Sequence, residues 1–151
     1  MSKARIVLDA NIIIKLFHEE RDTHTAQELL EYLMEEEVQI IAPQLIITET
    51  LNVCLTKKVS SESIIGFFDA QLSNTLEICD LEMDIIKKAC EITESGHPKS
   101  GFPGFNDSVY HATALLNEAI FITADDRHLK KADKFGAIFS LTEWRRAFSM
   151  Q

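Results

Sequence analysis

Five acidic side chains stand where chemistry could be done. Asp107 and the pair Asp125, Asp126 bracket a mostly apolar stretch, GFNDSVYHATALLNEAIFITADDRHL (104 to 129), Asp9 directly follows the apolar run RIVL, and Glu49 sits inside APQLIITETLNVCL. Carboxylates gathered in one cleft repel one another unless a cation lies between them. Mg²⁺ or Mn²⁺, held by carboxylate oxygens and several waters, is the ordinary resolution. Whether these acids meet depends on the elements that carry them.

Short runs rich in Ile, Val and Phe alternate with longer amphipathic ones. RIVL (5 to 8), VQIIA (38 to 42), LEIC (76 to 79), AIFIT (119 to 123) and AIFS (137 to 140) have strand length. Helical patterns fill 11 to 18, 24 to 36, 44 to 57, 61 to 73, 82 to 95, 106 to 117, 126 to 134 and 142 to 148, with Pro43 where a helix should begin and Gly136 where one should end. The expected fold is therefore α/β: one three-layer α/β/α domain over residues 1 to 151, with a mainly parallel five-stranded sheet. A helix over 106 to 117 climbs roughly 18 Å and a strand over 119 to 123 returns roughly 17 Å, which brings Asp107 and Asp125 to the same end. That end is the carboxyl edge of the sheet, where open α/β folds bind ligands, and Asp9 lies there too.

Glu49 is the fourth candidate. Its helical neighbours include Leu45, Ile46 and Val53, so its carboxylate lies on a largely apolar face, where burial without a partner is costly. Each acid also has a plainer reading: Asp9 with Asn11 could shape a turn, Asn106 or Asp107 could cap the helix that follows, and so could Asp125 or Asp126.

Composition narrows the function classes. The 15 Lys and Arg against 24 Asp and Glu leave a net charge of −9, which opposes non-specific binding to nucleic acid, so any such role must rest on a local site. Cys54, Cys79 and Cys90 are odd in number and lack paired spacing, which argues against a disulfide framework or a zinc site. The longest uncharged run, Val38 to Thr48, is shorter than the roughly 20 residues a membrane span needs, and a cytoplasmic protein is expected. His111 follows Asp107 by one helical turn and reads chiefly as a core or surface histidine. His18, His24, His97 and His128 share no ligand spacing. The cluster SGHPKSGFPGFN (95 to 106) is a loop long enough to suspect at a site.

Four motifs in order, VLDANIII after the first strand, ITETLNV in the third helix, FNDSVYHATAL opening a late helix and FITADDRHL closing the fourth strand, resemble the PIN domain, in particular the VapC-type toxin ribonucleases of prokaryotes. The resemblance covers almost the whole chain. It implies an acidic quartet of Asp9, Glu49, Asp107 and Asp125, a polar partner in Asn11, and Thr123 orienting the last acid. It further implies Mg²⁺- or Mn²⁺-dependent hydrolysis of RNA, and a small antitoxin as partner. The 95 to 106 loop matches none of the family's motifs. Lys57, Lys58, Lys99 and Arg127 are the cations nearest the proposed cleft in sequence and are candidate phosphate contacts.

Thr123 and Asp126 fit the spacing of a capping box, which would give Asp126 a structural task and leave Asp125 free to face the cleft. An antitoxin with a basic tail suits a surface of net −9, and self-association as a dimer or higher oligomer through helices near the chain start is expected. TAQELLEYLMEEE (25 to 37) is a candidate for either contact, although packing on its own sheet is the plainer role. Two other readings compete: a PIN-like module that binds without cleaving, and a phosphoacceptor receiver domain in which Asp80, after LEIC, would be modified.

Overall fold

The computed structural model describes residues 4 to 149, so the termini of the expected 1 to 151 span lie outside the described residues. Five strands form one all-parallel sheet: β1 (Arg5–Leu8), β2 (Gln39–Pro43), β3 (Leu76–Cys79), β4 (Ile120–Thr123) and β5 (Ile138–Ser140), in the spatial order β3-β2-β1-β4-β5. Val7 lies level with Ile41 on one side and with Phe121 on the other. Ile6, Val7 and Leu8 are all wholly buried although consecutive residues of a strand point to opposite faces. Both faces of the sheet are therefore covered, and helices cover them.

Among the described residues the α-helices are α1 (Ala10–Phe17), α2 (Thr23–Glu35), α3 (Leu45–Thr56), α4 (Ser61–Leu72), α5 (Met83–Glu94), α6 (Phe105–Leu116), α7 (Asp126–Ala132) and α8 (Trp144–Ser149). Helix α6 packs on β1, β2 and β4, and α5 packs on α6, where Ala89, Ile92, Val109 and Ala112 let the two helices approach closely. Helix α1 packs against α2 and α3. Ala26, Leu29, Leu30 and Leu33 turn the apolar stripe of α2 into the main core, so the 25 to 37 stretch does pack at home.

Most element boundaries fall within a residue or two of the sequence reading, and two of the departures have a clear physical cause. Pro43 is the last residue of β2, opposite Cys79, and α3 starts at Leu45. A proline is tolerated at a strand end, where the ladder no longer needs its N–H, and this one stops the strand instead of starting the helix. Helix α7 ends at Ala132 and passes through a 3₁₀ turn (Asp133–Phe135) to Gly136, whose φ of 77° and ψ of −174° only glycine adopts without strain.

Strand order decides where a site can form. From β1 the chain steps outward through β2 to β3, then returns to place β4 on the other side of β1. Connections therefore leave β1 and β4 in opposite directions, opening a crevice at their carboxyl ends, the usual binding position in open α/β sheets.

Candidate active site

Asp9 directly follows β1 and caps α1. Its Oδ1 accepts the Asn11 N–H at 3.2 Å, and its Oδ2 accepts the Thr123 hydroxyl at 3.0 Å. The turn-shaping reading and the cleft reading of Asp9 thus both describe it. Thr123, at the end of β4, is fully buried and also accepts the Asp125 N–H at 3.0 Å. One hydroxyl therefore ties the carboxylate after β1 to the backbone after β4. Asn11 supports the same junction, its Oδ1 accepting the Ala124 N–H at 3.4 Å.

The capping box does not form. Asp125 is the N-cap of α7, its Oδ1 accepting the N–H groups of Arg127 at 3.0 Å and His128 at 3.2 Å, while Asp126 is exposed and meets the Ser140 hydroxyl at 3.4 Å. The Thr123 hydroxyl donates to Asp9 and accepts the Asp125 N–H, and the N-cap position that a box with Asp126 would give to Thr123 falls to Asp125. Asp125 nonetheless faces the cleft, where its charge helps to raise the Asp107 carboxyl. Capping and cleft duty fall on one residue.

Asp107 lies in the first turn of α6, where the positive end of the helix dipole favours an acid. Neither it nor Asn106 is the cap; Gly104 takes that position with extended backbone. Glu49, in the second turn of α3, is half-buried, and its Oε2 accepts the Tyr110 hydroxyl at 2.9 Å. Tyr110 is wholly buried and stacks on Phe121, with ring centroids 6.1 Å apart and planes 10° apart. Sequence reading missed this tyrosine. Its place three residues after Asp107, on the same helix face, was the available signal.

The electrostatics show crowding. Burial, at 3% exposure, raises the Asp9 carboxyl to about 6 despite its hydrogen bonds, and Glu49 and Asp125 push it the same way. Asp107 is raised to about 7, first by burial and then by the charges of Asp9, Asp125 and Glu49. Burial and the neighbouring Glu49 charge also raise Tyr110, which stays a neutral donor. None of the four acids forms an ion pair with a Lys or Arg among the described residues.

As placed, no three acids, histidines or cysteines among the described residues could hold a metal ion. The donor chemistry still fits a hard divalent cation, which takes oxygen ligands and keeps several waters between itself and the protein. With waters between, the acids that would face such an ion are Asp9, Glu49, Asp107 and Asp125.

The remaining candidates divide. Lys57 and Lys58 lie past the far end of α3, roughly 12 Å along the helix from Glu49 and away from the carboxyl edge. Lys99 is exposed in the loop before α6, and Arg127 is beside Asp125. Asp80 is exposed after the edge strand β3, with β2 between that strand and β1, so it stands apart from the acids beside β1. His111 is a satisfied core residue, Nε2 bonded to the Gly136 carbonyl at 2.8 Å and Nδ1 3.4 Å from His128 Nε2. Burial and the neighbouring His111 lower His128 to about 4.

The chain belongs to the PIN domain family, whose model matches residues 6–134. No curated protein gives a significant sequence match. Several solved structures share the fold. VapBC2 from Rickettsia felis, bound to a promoter DNA fragment, is 20% identical, with 90% of this chain and 98% of that chain covered at a TM-score of 0.66. FitAcB from Neisseria gonorrhoeae is 16% identical over 91% and 99%, at 0.65. VapC20 from Mycobacterium tuberculosis, a sarcin–ricin loop cleaving toxin, is 15% identical over 79% and 87%, at 0.61.

Proposed function

We propose that this chain, as a single domain over residues 1 to 151, is a metal-dependent endoribonuclease that hydrolyses RNA phosphodiester bonds and acts as a VapC-type toxin. The observation that carries this reading is the set of carboxylates at the β1–β4 crevice, crowded enough to raise Asp9 and Asp107 and paired with no cation. A bound Mg²⁺ or Mn²⁺ would supply counter-charge for the phosphoryl group and a more acidic water. Thr123 and Asn11 hold Asp9 and the end of β4 in register, Tyr110 holds Glu49 by its hydroxyl, and the N-cap bonds of Asp125 fix its carboxylate close enough for its charge to bear on Asp107. No side-chain nucleophile is needed: Ser108, beside Asp107, is buried, and its Oγ accepts the Thr93 hydroxyl at 3.0 Å.

The test is RNA cleavage by purified protein with Mg²⁺ or Mn²⁺, in excess chelator, and with Asp9→Asn. Cleavage should need the cation and disappear in the variant; equal cleavage in chelator would overturn the mechanism. RNA binding with no cleavage under either cation would identify a binding module instead.

The partner reading is a small antitoxin with a basic tail, together with a homodimer or higher oligomer, in the cytoplasm. The VapBC and FitAcB structures share the fold, no helix among the described residues is long and apolar enough to cross a membrane, and Leu55, Ile65 and Leu72 on α3 and α4 are exposed apolar side chains suited to contact with another copy. A monomer at high concentration, with no small protein co-purifying from its native cell, would remove this part.

A further inference from the structure

The segment between α5 and α6 is closed on itself. His97 and Gly101 bond each other as an antiparallel bridge, with N···O distances of 3.1 and 2.7 Å, and the Lys99 N–H donates to His97 Nδ1 at 3.1 Å. Gly101 has φ +91°, and a Cβ there would stand 3.1 Å from Lys131 Nζ. Two lysines hold the outer carbonyls of the loop: Lys134 Nζ donates to Ser95 O at 3.0 Å and Lys131 Nζ to Phe102 O at 3.4 Å. Between this loop and α7 lies a cleft of about 540 Å³.

Its charge opposes that of the whole chain. Arg127, Lys130, Lys131 and Lys134 line it against one acid, Asp133, although the molecule carries −9 overall. Neither Arg127 nor Lys130 forms an ion pair among the described residues. Clustered like charges raise the local concentration of anions, and ammonium and guanidinium groups bind phosphate oxygens strongly. The cleft also starts where the carboxylates end, since the Arg127 N–H is bonded to Asp125 Oδ1.

We propose that the cleft between the 95 to 104 loop and α7 holds the phosphodiester backbone of an RNA strand whose scissile bond lies at the neighbouring carboxylates. The proposal rests on the ribonuclease reading. It also resolves a conflict in charge: a substrate polyanion approaching an acidic molecule is drawn to a side of the site where cations are gathered. An acidic protein segment is the rival occupant, and adjacency to Asp125 favours the nucleic acid.

The test measures binding of a fluorescein-labelled, mixed-sequence single-stranded RNA by anisotropy, across a salt series with Mg²⁺ present, on the full chain carrying Asp9→Asn. In that background, Arg127→Gln with Lys130→Gln should weaken binding about 5- to 20-fold and reduce the slope of log Kd against log salt by about 1.4, from two phosphate contacts at roughly 0.7 each. Lys130→Arg should keep the slope, and Lys57→Gln, at the far end of α3, should leave affinity and slope unchanged. Both replaced side chains are unpaired, and melting checks that the double variant stays folded. Unchanged affinity and slope in that folded variant would overturn the proposal and leave an acidic protein segment as the occupant. If wild type cleaves no RNA while the double variant still loses slope, the cleft stands and the ribonuclease reading falls. No RNA binding at all removes both.

Discussion

Asp125 does two things with one carboxylate, and this changes what its substitution should do. It caps α7 through Oδ1 and its charge bears on Asp107 in the cleft, whereas Asp126 only faces solvent and Ser140. Asparagine caps helices about as well as aspartate, so Asp125→Asn should abolish cation-dependent cleavage with little loss of stability, while Asp125→Ala should also cost about 1 kcal/mol. Asp126→Asn should keep most activity and lose at most about 0.5 kcal/mol of helix-dipole interaction. Turnover and denaturant melts of the three variants check this; an inactive Asp126→Asn beside an active Asp125→Asn would reverse the assignment. Glu49 shows the complementary case. Its apolar helical neighbours called for a polar partner, and the partner is the Tyr110 hydroxyl.

At the scale of elements, what positions the site is a set of short junctions where strands hand over to helices. Asp9 follows β1 and caps α1, Asp125 follows β4 and caps α7, and Asp107 lies in the first turn of α6. Each acid is local in sequence to a helix start, which is why strand-and-helix patterning put three of them at one edge. The loop before α6 is held differently, by close backbone approach. A Cβ on Gly96 would come within 2.5 Å of Phe102 Cα and 2.6 Å of the Gly101 carbonyl, so the backbone itself would have to move. Gly96→Ala should therefore cost about 1 to 3 kcal/mol through overpacking and part the His97–Gly101 bridge. Amide exchange should quicken over residues 97 to 101 and stay slow in α6, whose buried face lies in the cores; slow exchange throughout would mean that the loop absorbs the methyl group.

For the molecule as a whole, the buried carboxyls tie stability to pH and to cations. Asp9 at about 6 and Asp107 at about 7, against an ordinary 3.8, bind protons more firmly in the folded chain than in the unfolded one. The unfolded chain thus holds fewer protons across the window from about pH 4 to 7, and cation-free stability falls as pH rises through it. Asp9 alone accounts for roughly 3 kcal/mol of that loss. Asp9→Asn should flatten the profile, and Mg²⁺ or Mn²⁺ at about 100 times its Kd should restore about 2.7 kcal/mol to the wild-type chain above pH 7. Thermal melts in chelator and in cation check both; a flat profile with no response to either cation would remove the crowded site.

The sequence by itself determined the α/β class, the five strands, the helix positions to within a residue or two and the common edge of Asp9, Asp107 and Asp125. Those follow from local rules: apolar period, turn chemistry and the rise per residue of helix and strand. The strand order, and so the crevice beside β1, came only with the tertiary structure, because parallel strands with similar apolar faces can be ordered in several ways. So did the allocation of Thr123 to Asp9, 114 positions away, in place of a local bond to Asp126. A buried hydroxyl takes the partner that packing brings to it, and here that partner is a buried carboxylate, for which an unmade hydrogen bond costs more than a solvent-exposed cap.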